Sequence, residues 1–180
     1  MRSSFAVVPA TLVLVLCACT SDDVAPTSFI AEFQGVGAAT NPTATLSGGE
    51  EVPANTSRAR GQAVLQLNAD GDALTFRLLI ANIENVTQSH IHRAAAGVNG
   101  PIVVWLRPAA PPAVLVPGRF DGLFAEGTIT AANLVGPLAG QPLSALLAEM
   151  RAGNTYVNVH TSALQPGEIR GQIRANGPDF

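Results

Sequence analysis

The chain has 180 residues, is 47% hydrophobic, and carries 13 acidic against 10 basic residues, for a formal charge of −3. All ten basic residues are Arg, and they form no run anywhere. Nucleic-acid binding needs a basic footprint, which this chain lacks, and the apolar content fits a globular chain rather than a disordered one.

Residues 1–19 read as an export signal. Arg2 gives a positive start, and Phe5 to Leu16 is nearly all apolar, with Pro9 inside it. That run is too short for a comfortable transmembrane helix. It ends at Leu16-Cys17-Ala18-Cys19, which resembles the bacterial lipobox. Cys19 then stands where that motif receives diacylglycerol. The alternative is an ordinary signal with two incidental cysteines, cut nearby. Lipid chains add ~0.8 kcal/mol of membrane affinity per buried methylene, so a multiply acylated Cys19 would anchor the chain. Cleavage before Cys19 leaves no other cysteine, hence no internal disulfide and no thiol nucleophile. It also leaves nine Arg against thirteen acids, a formal charge of −4.

Residues 20–43 are rich in Ser, Thr, Ala, Asp and Pro and read as a flexible tether. Residues 44–175 then read as one compact domain, and residues 176–180 as a short tail. Ala63, Leu65 and Leu67 alternate as a strand. Asn68 to Asp72, with Asp70-Gly71, reads as a hairpin turn, and Leu74, Phe76, Leu78 and Ile80 form the returning strand. Asp70 and Asp72 lack the further acids of a calcium loop. His90 to His92 is a separate short strand, followed by a loop to Gly100. Ile102 to Arg107 is a strand containing the only Trp, Trp105. Pro108 to Pro117 holds four prolines and predicts an exposed loop. Phe120 to Ile129 is a weaker strand, broken by Gly122 and Gly127. Leu143, Leu146, Leu147 and Met150 follow helical spacing between Pro142 and Gly153, and predict the one helix. Tyr156 to His160 and Ile169 to Ile173 complete the strands. Many strands, tight turns and one short helix predict an all-β sandwich or immunoglobulin-like barrel.

All three histidines lie in two segments, Ser89-His-Ile-His92 and Val157-Asn-Val-His160. Strand residues two apart share a face, so His90 and His92 project together, as do Asn158 and His160. Ile91, Val157 and Val159 face the core. If the strands are neighbours, His90, His92 and His160 converge as a three-imidazole metal site, copper slightly ahead of zinc by ligand type. The alternative is three polar residues satisfying backbone groups at a loop mouth. Each segment is followed by a Gly-containing turn and another strand, a weak internal repeat that could equally be chance.

Glu51, Glu168 and Arg170 form a second group. Arg170 shares a strand face with Glu168 and Gln172, and an Arg170–Glu51 ion pair would fix the N-terminal segment to the last strand. The minority reading has these residues, or Asn158, orienting an imidazole. No complete catalytic constellation occurs.

Several segments together resemble the CHRD domain family, named from chordin, an extracellular antagonist of growth factors. They are Leu46-Ser-Gly-Gly-Glu-Glu-Val-Pro53, Gly61-Gln-Ala-Val-Leu65, Ser89-His-Ile-His92 with Gly97-Val-Asn-Gly-Pro-Ile102, Gly153-Asn-Thr-Tyr-Val-Asn-Val-His-Thr161 and Pro166-Gly-Glu-Ile-Arg-Gly-Gln172. Glu51 falls at the family's acidic position. The resemblance implies an extracytoplasmic immunoglobulin-like barrel related to Cu,Zn superoxide dismutase. The dismutase copper site needs four histidines, so three cannot supply it, and the dismutase reading ranks last. A membrane-tethered metal-binding module ranks first. A protein-interaction module with structural histidines, by analogy with chordin, ranks second.

Overall fold

The computed structural model describes residues 41–175. The export signal, Cys19, nearly all of the tether and the C-terminal tail lie outside the described residues. Seven strands follow in order: β1 (Thr43–Ser47), β2 (Arg60–Leu67), β3 (Leu74–Arg93), β4 (Ile102–Arg107), β5 (Val116–Ile129), β6 (Thr155–Thr161) and β7 (Ile169–Gln172). One α-helix, α1 (Leu143–Arg151), lies between β5 and β6. The fold is all-β, as the punctuation of the sequence predicts.

Every strand pairing is antiparallel. The sheet runs β2-β1-β7-β6-β3-β4, and a further β2–β3 pairing closes it into a barrel. β1 and β7 meet at the narrow point, where Ser47 pairs with Arg170 and Thr43 bridges to Arg174. Gly171 makes that approach possible, because a methyl there would overlap the Thr45 carbonyl. The barrel interior is apolar and fully buried, with Leu46, Leu65, Leu78, Ile80, Ile91, Val157, Val159 and Ile169 among its members.

β3 organises the molecule. Its first half pairs with β2 and β5, and its second half with β6 and β4. The sequence reading broke this strand into two pieces, Leu74–Ile80 and His90–His92. It is one strand of 20 residues, bent where Asn82 and Asn85 take positive φ (56° and 53°). The β3–β5 register shifts across each of them, between Ile80 and Ile83 and between Glu84 and Val86. Asn is among the few residues that enter this region at low cost, and such irregularities redirect a strand without ending it. The apolar alternation is lost across the bend, which hides the continuity.

The Pro-rich stretch also needs a correction. Residues 108–115 form the exposed loop, but β5 starts at Val116, so Pro117 lies inside a strand. β5 pairs only with β3 in the sheet, and a sheet edge tolerates a residue with no N–H. The helix matches its prediction: Leu143, Leu146, Leu147 and Met150 are buried, and Gly153 follows with φ 71°. An Arg93–Glu149 ion pair at 2.6 Å ties α1 to the end of β3.

Candidate metal centre

Antiparallel pairing of β3 with β6 puts the two histidine segments side by side. His90 lies opposite Asn158, His92 opposite Tyr156, and Gln88 opposite His160. The alternation sends Ile91, Val157 and Val159 into the barrel and the polar residues to its outer face. Trp105 of β4, opposite His90, and Arg170 of β7, opposite Asn158, share that outer face.

This face is outside the barrel but not in water. His90, His92 and His160 are 0%, 8% and 6% exposed, and Arg170 is 2% exposed. Two loops reach them, residues 94–101 after β3 through Gly100 and 162–168 after β6 through Gln165, and the segment 48–59 after β1 lies alongside through Glu51 and Val52. The alternative reading, polar residues at a loop mouth, expects exposed rings, whereas all three are buried.

One ligand atom from each of His90, His92 and His160 can be chosen so that all lie within 4.8 Å of one another. Backbone carbonyls already orient two of the rings. His92 Nδ1–H donates to the Gly100 carbonyl at 2.9 Å, and His160 Nδ1–H donates to the Gln165 carbonyl at 2.8 Å. Each bond selects the tautomer whose Nε2 carries a free lone pair, which is how proteins commonly hold ligating histidines. His90 Nδ1 lies 3.1 Å from His160 Nε2, so without a cation His90 donates its Nδ1–H there. A cation on Nδ1 requires the other tautomer, with the proton on Nε2. The Nε2 atoms of His90 and His92 are buried with no hydrogen-bond partner in the protein. A polar pair of this kind is costly to bury unless it serves something else.

Burial also keeps the rings neutral, the state a ligand needs. It pushes His90 down to about 3, with the charges of His160 and His92 adding to the effect. It pushes His92 down to about 4; the Gly100 carbonyl opposes this, and the charges of His160 and Arg170 reinforce it. His160 is lowered too, by burial against the opposing Gln165 carbonyl.

Aromatic rings wall the cluster. Trp105 meets His90 edge to face at 4.2 Å, and Tyr156 stacks on His92 at 4.8 Å with 6° between planes. The Arg170 guanidinium sits 3.8 Å from the centroid of the same Tyr156 ring. The Tyr156 hydroxyl accepts from Gly100 N–H, beside the carbonyl that orients His92. Sequence reasoning passed over Tyr156 and Trp105. Tyr156 shares its face with Asn158 and His160 by simple alternation, so a signal was present.

The second group of candidates is arranged differently from the sequence expectation. Among the described residues the ion pairs are Arg77–Glu126, Arg93–Glu149 and Arg119–Asp121, and no Arg170–Glu51 pair forms. Arg170 instead donates Nη1–H to Asn99 Oδ1 at 2.9 Å and Nη2–H to the Val98 carbonyl at 3.0 Å. Asn99 in turn donates to the Val52 carbonyl at 2.8 Å. Arg170 therefore does reach the N-terminal segment, through an amide rather than a carboxylate. A loop residue supplies this link, so strand pairing could not reveal it.

Glu51 is buried near Arg170, and Asn158 Nδ2 donates to its Oε2 at a long 3.5 Å. Burial raises the Glu51 carboxyl to about 7, against the lowering influences of Arg170 and Asn158. Gly167, at φ 145°, backs onto both side chains: a Cβ there would fall 2.6 Å from Asn158 Oδ1 and from Glu51 Oε1. Glu168 plays a separate part. Its two oxygens accept from Ser57 and Thr161, each at 2.7 Å, pinning the segment 48–59 to the end of β6.

The family pattern of the CHRD domain matches residues 43–173, the whole barrel from β1 through β7. The chain belongs to the CHRD domain family. No curated protein and no solved structure gives a significant match. The histidine cluster of this CHRD domain thus sits within the matched span, on its two central strands and under its loops.

Proposed function

We propose that this CHRD domain is a membrane-tethered, extracytoplasmic binding module that holds one transition-metal ion on His90, His92 and His160. The observation that carries the reading is the convergence of three neutral, buried imidazoles, two of them already oriented by backbone carbonyls. Copper ranks ahead of zinc, by ligand type and by the general affinity order of divalent metals. The chain holds three histidines in total, short of a dismutase copper site, so the metal serves binding rather than dismutation.

Isothermal titration of the metal-free, full-length chain with copper and zinc tests the site. The expected result is one ion per chain, with at least a hundredfold loss of affinity in His92→Ala. Equal binding by the triple alanine variant at positions 90, 92 and 160 would end the metal reading and leave the histidines structural, in a protein-interaction module.

The tether proposal rests on the sequence of residues 1–19 and has its own test. Cys19→Ala is expected to move the exported protein from the membrane fraction to the soluble fraction. Retention of the variant on the membrane would remove the lipid anchor. A net negative formal charge and the lack of any basic run support a module that does not engage nucleic acid.

A further inference from the structure

We infer that the three-histidine site selects monovalent copper and discriminates against divalent ions. The inference rests on the metal-binding reading and adds the charge of the ion to it. It starts from the donors: His90, His92 and His160 are the only such cluster of His, Cys, Asp or Glu among the described residues, and it contains no anion. Neither Glu51 nor Glu168 is part of the cluster. Both oxygens of Glu168 are spent on Ser57 and Thr161. Glu51 stays out of the ligand cluster, facing Asn158 and Gly167.

A fixed positive charge borders the site. The Arg170 guanidinium lies 3.8 Å from the Tyr156 centroid, and Tyr156 carries His92 in parallel contact. Arg170 is held there by Asn99 and Val98, so it cannot swing away as an exposed side chain would. Any ion on His92 feels this charge as repulsion, twice as strongly when divalent.

Burial sharpens the difference. The ligands are 0–8% exposed, so a bound ion leaves most of its water behind. The cost of desolvating an ion rises with the square of its charge, so a divalent ion pays about four times the monovalent cost. Anionic ligands normally repay it, and here there are none. Coordination number points the same way. Zinc holds four ligands and Cu(II) favours four in a tetragonal arrangement, so each would need a further ligand from water. Cu(I) is content with two or three nitrogens. Trp105 against His90 and Tyr156 against His92 close two sides of the cluster with aromatic rings.

Three competition titrations of the full-length chain against chromophoric chelators decide the matter. One uses Cu(I), under anaerobic conditions with ascorbate; the others use Cu(II) and Zn(II). Each is compared with the triple alanine variant, which reports any metal taken by Cys17 and Cys19. The expected result is one histidine-dependent Cu(I), held at least a thousandfold more tightly than Zn(II) and more tightly than Cu(II). Histidine-dependent Zn(II) or Cu(II) binding within tenfold of Cu(I) overturns the monovalent preference and leaves the metal site standing. No histidine-dependent binding of any of the three overturns both. X-ray absorption of the Cu(I)-loaded wild type keeps the test sound if the triple variant fails to fold. A nitrogen-only shell of three is expected, and a sulfur shell or a fourth light ligand would overturn the inference.

Discussion

Unfolding free energy measured from pH 8 to pH 4 on the metal-free protein is expected to be level above about pH 7 and to collapse on the acid side. The acid limb belongs to the histidines. All three have folded values below the usual 6.5, so their contribution is fully present above pH 6.5. As pH falls, the unfolded chain takes up protons that the buried rings refuse. Stability is then lost at up to ~1.4 kcal/mol per pH unit for each ring. Total stabilities of only 5–15 kcal/mol are usual for a domain, so acid unfolding should set in well above pH 4, roughly between pH 4 and 5. Saturating metal should push that midpoint down, because the bound state is withdrawn from the competition with protons.

Glu51 contributes with the opposite sign. Its folded value is raised to about 7 from a usual 4.5, so the folded chain holds this proton more tightly than the unfolded chain does. The stabilisation is fully present below pH 4.5 and is lost as pH rises through 7. Between pH 4.5 and 6.5 three histidines outweigh one carboxyl, and above about pH 7 the remaining contributions nearly cancel, so the wild type levels off there. Glu51→Gln isolates this contribution. It should steepen the rise in stability between pH 4.5 and 7, leave the collapse below pH 4.5 unchanged, and make the protein more stable than wild type at pH 8 by about 1–3 kcal/mol. A variant less stable than wild type at pH 8 would mean that attraction between Glu51 and Arg170 outweighs the cost of burying the carboxylate.

The same contrast between strands and loops explains what the sequence could and could not reveal. His90, His92 and His160 were legible because strand period fixes which side chains share a face, and because the chain has no other histidines. The core assignments of Ile91, Val157 and Val159 follow from the same period. The 20-residue β3 was not legible, because Asn82 and Asn85 bend it where no apolar alternation survives. The burial of the site was not legible either, because loops at residues 94–101 and 162–168 close on the rings and nothing in their composition says where they lie. The partner of Arg170 illustrates the limit. A carboxylate at Glu51 was the natural choice from charge alone, yet the guanidinium is met by Asn99 and Val98, on a loop whose position depends on Gly100 and Tyr156.

Arg170→Met should therefore destabilise the protein by about 2–4 kcal/mol at pH 6.5, read from denaturant unfolding. Hydrogen bonds to charged groups contribute about 1.5–3 kcal/mol each, and a desolvated cation over an aromatic ring adds about 2. Relief from burying a charge with no ion-pair partner offsets part of that sum. Arg170→Lys separates the fork from the charge. A lysine keeps the charge near Tyr156 but cannot serve Asn99 and Val98 in the same planar geometry, so it should lose nearly as much stability. The two variants should part company in their pH profiles. Methionine removes the charge that holds Glu51 down, so the loss from ionising Glu51 extends above pH 7 and stability declines there, whereas lysine keeps the level profile of the wild type. An unchanged melting temperature in Arg170→Met would remove the guanidinium as the tie between β7 and the loop at residues 94–101. A methionine variant still level between pH 7 and 8 would show that Glu51 does not feel its charge. Each outcome bears on a different atom of the same residue: the first on the two nitrogens that donate, the second on the charge they share.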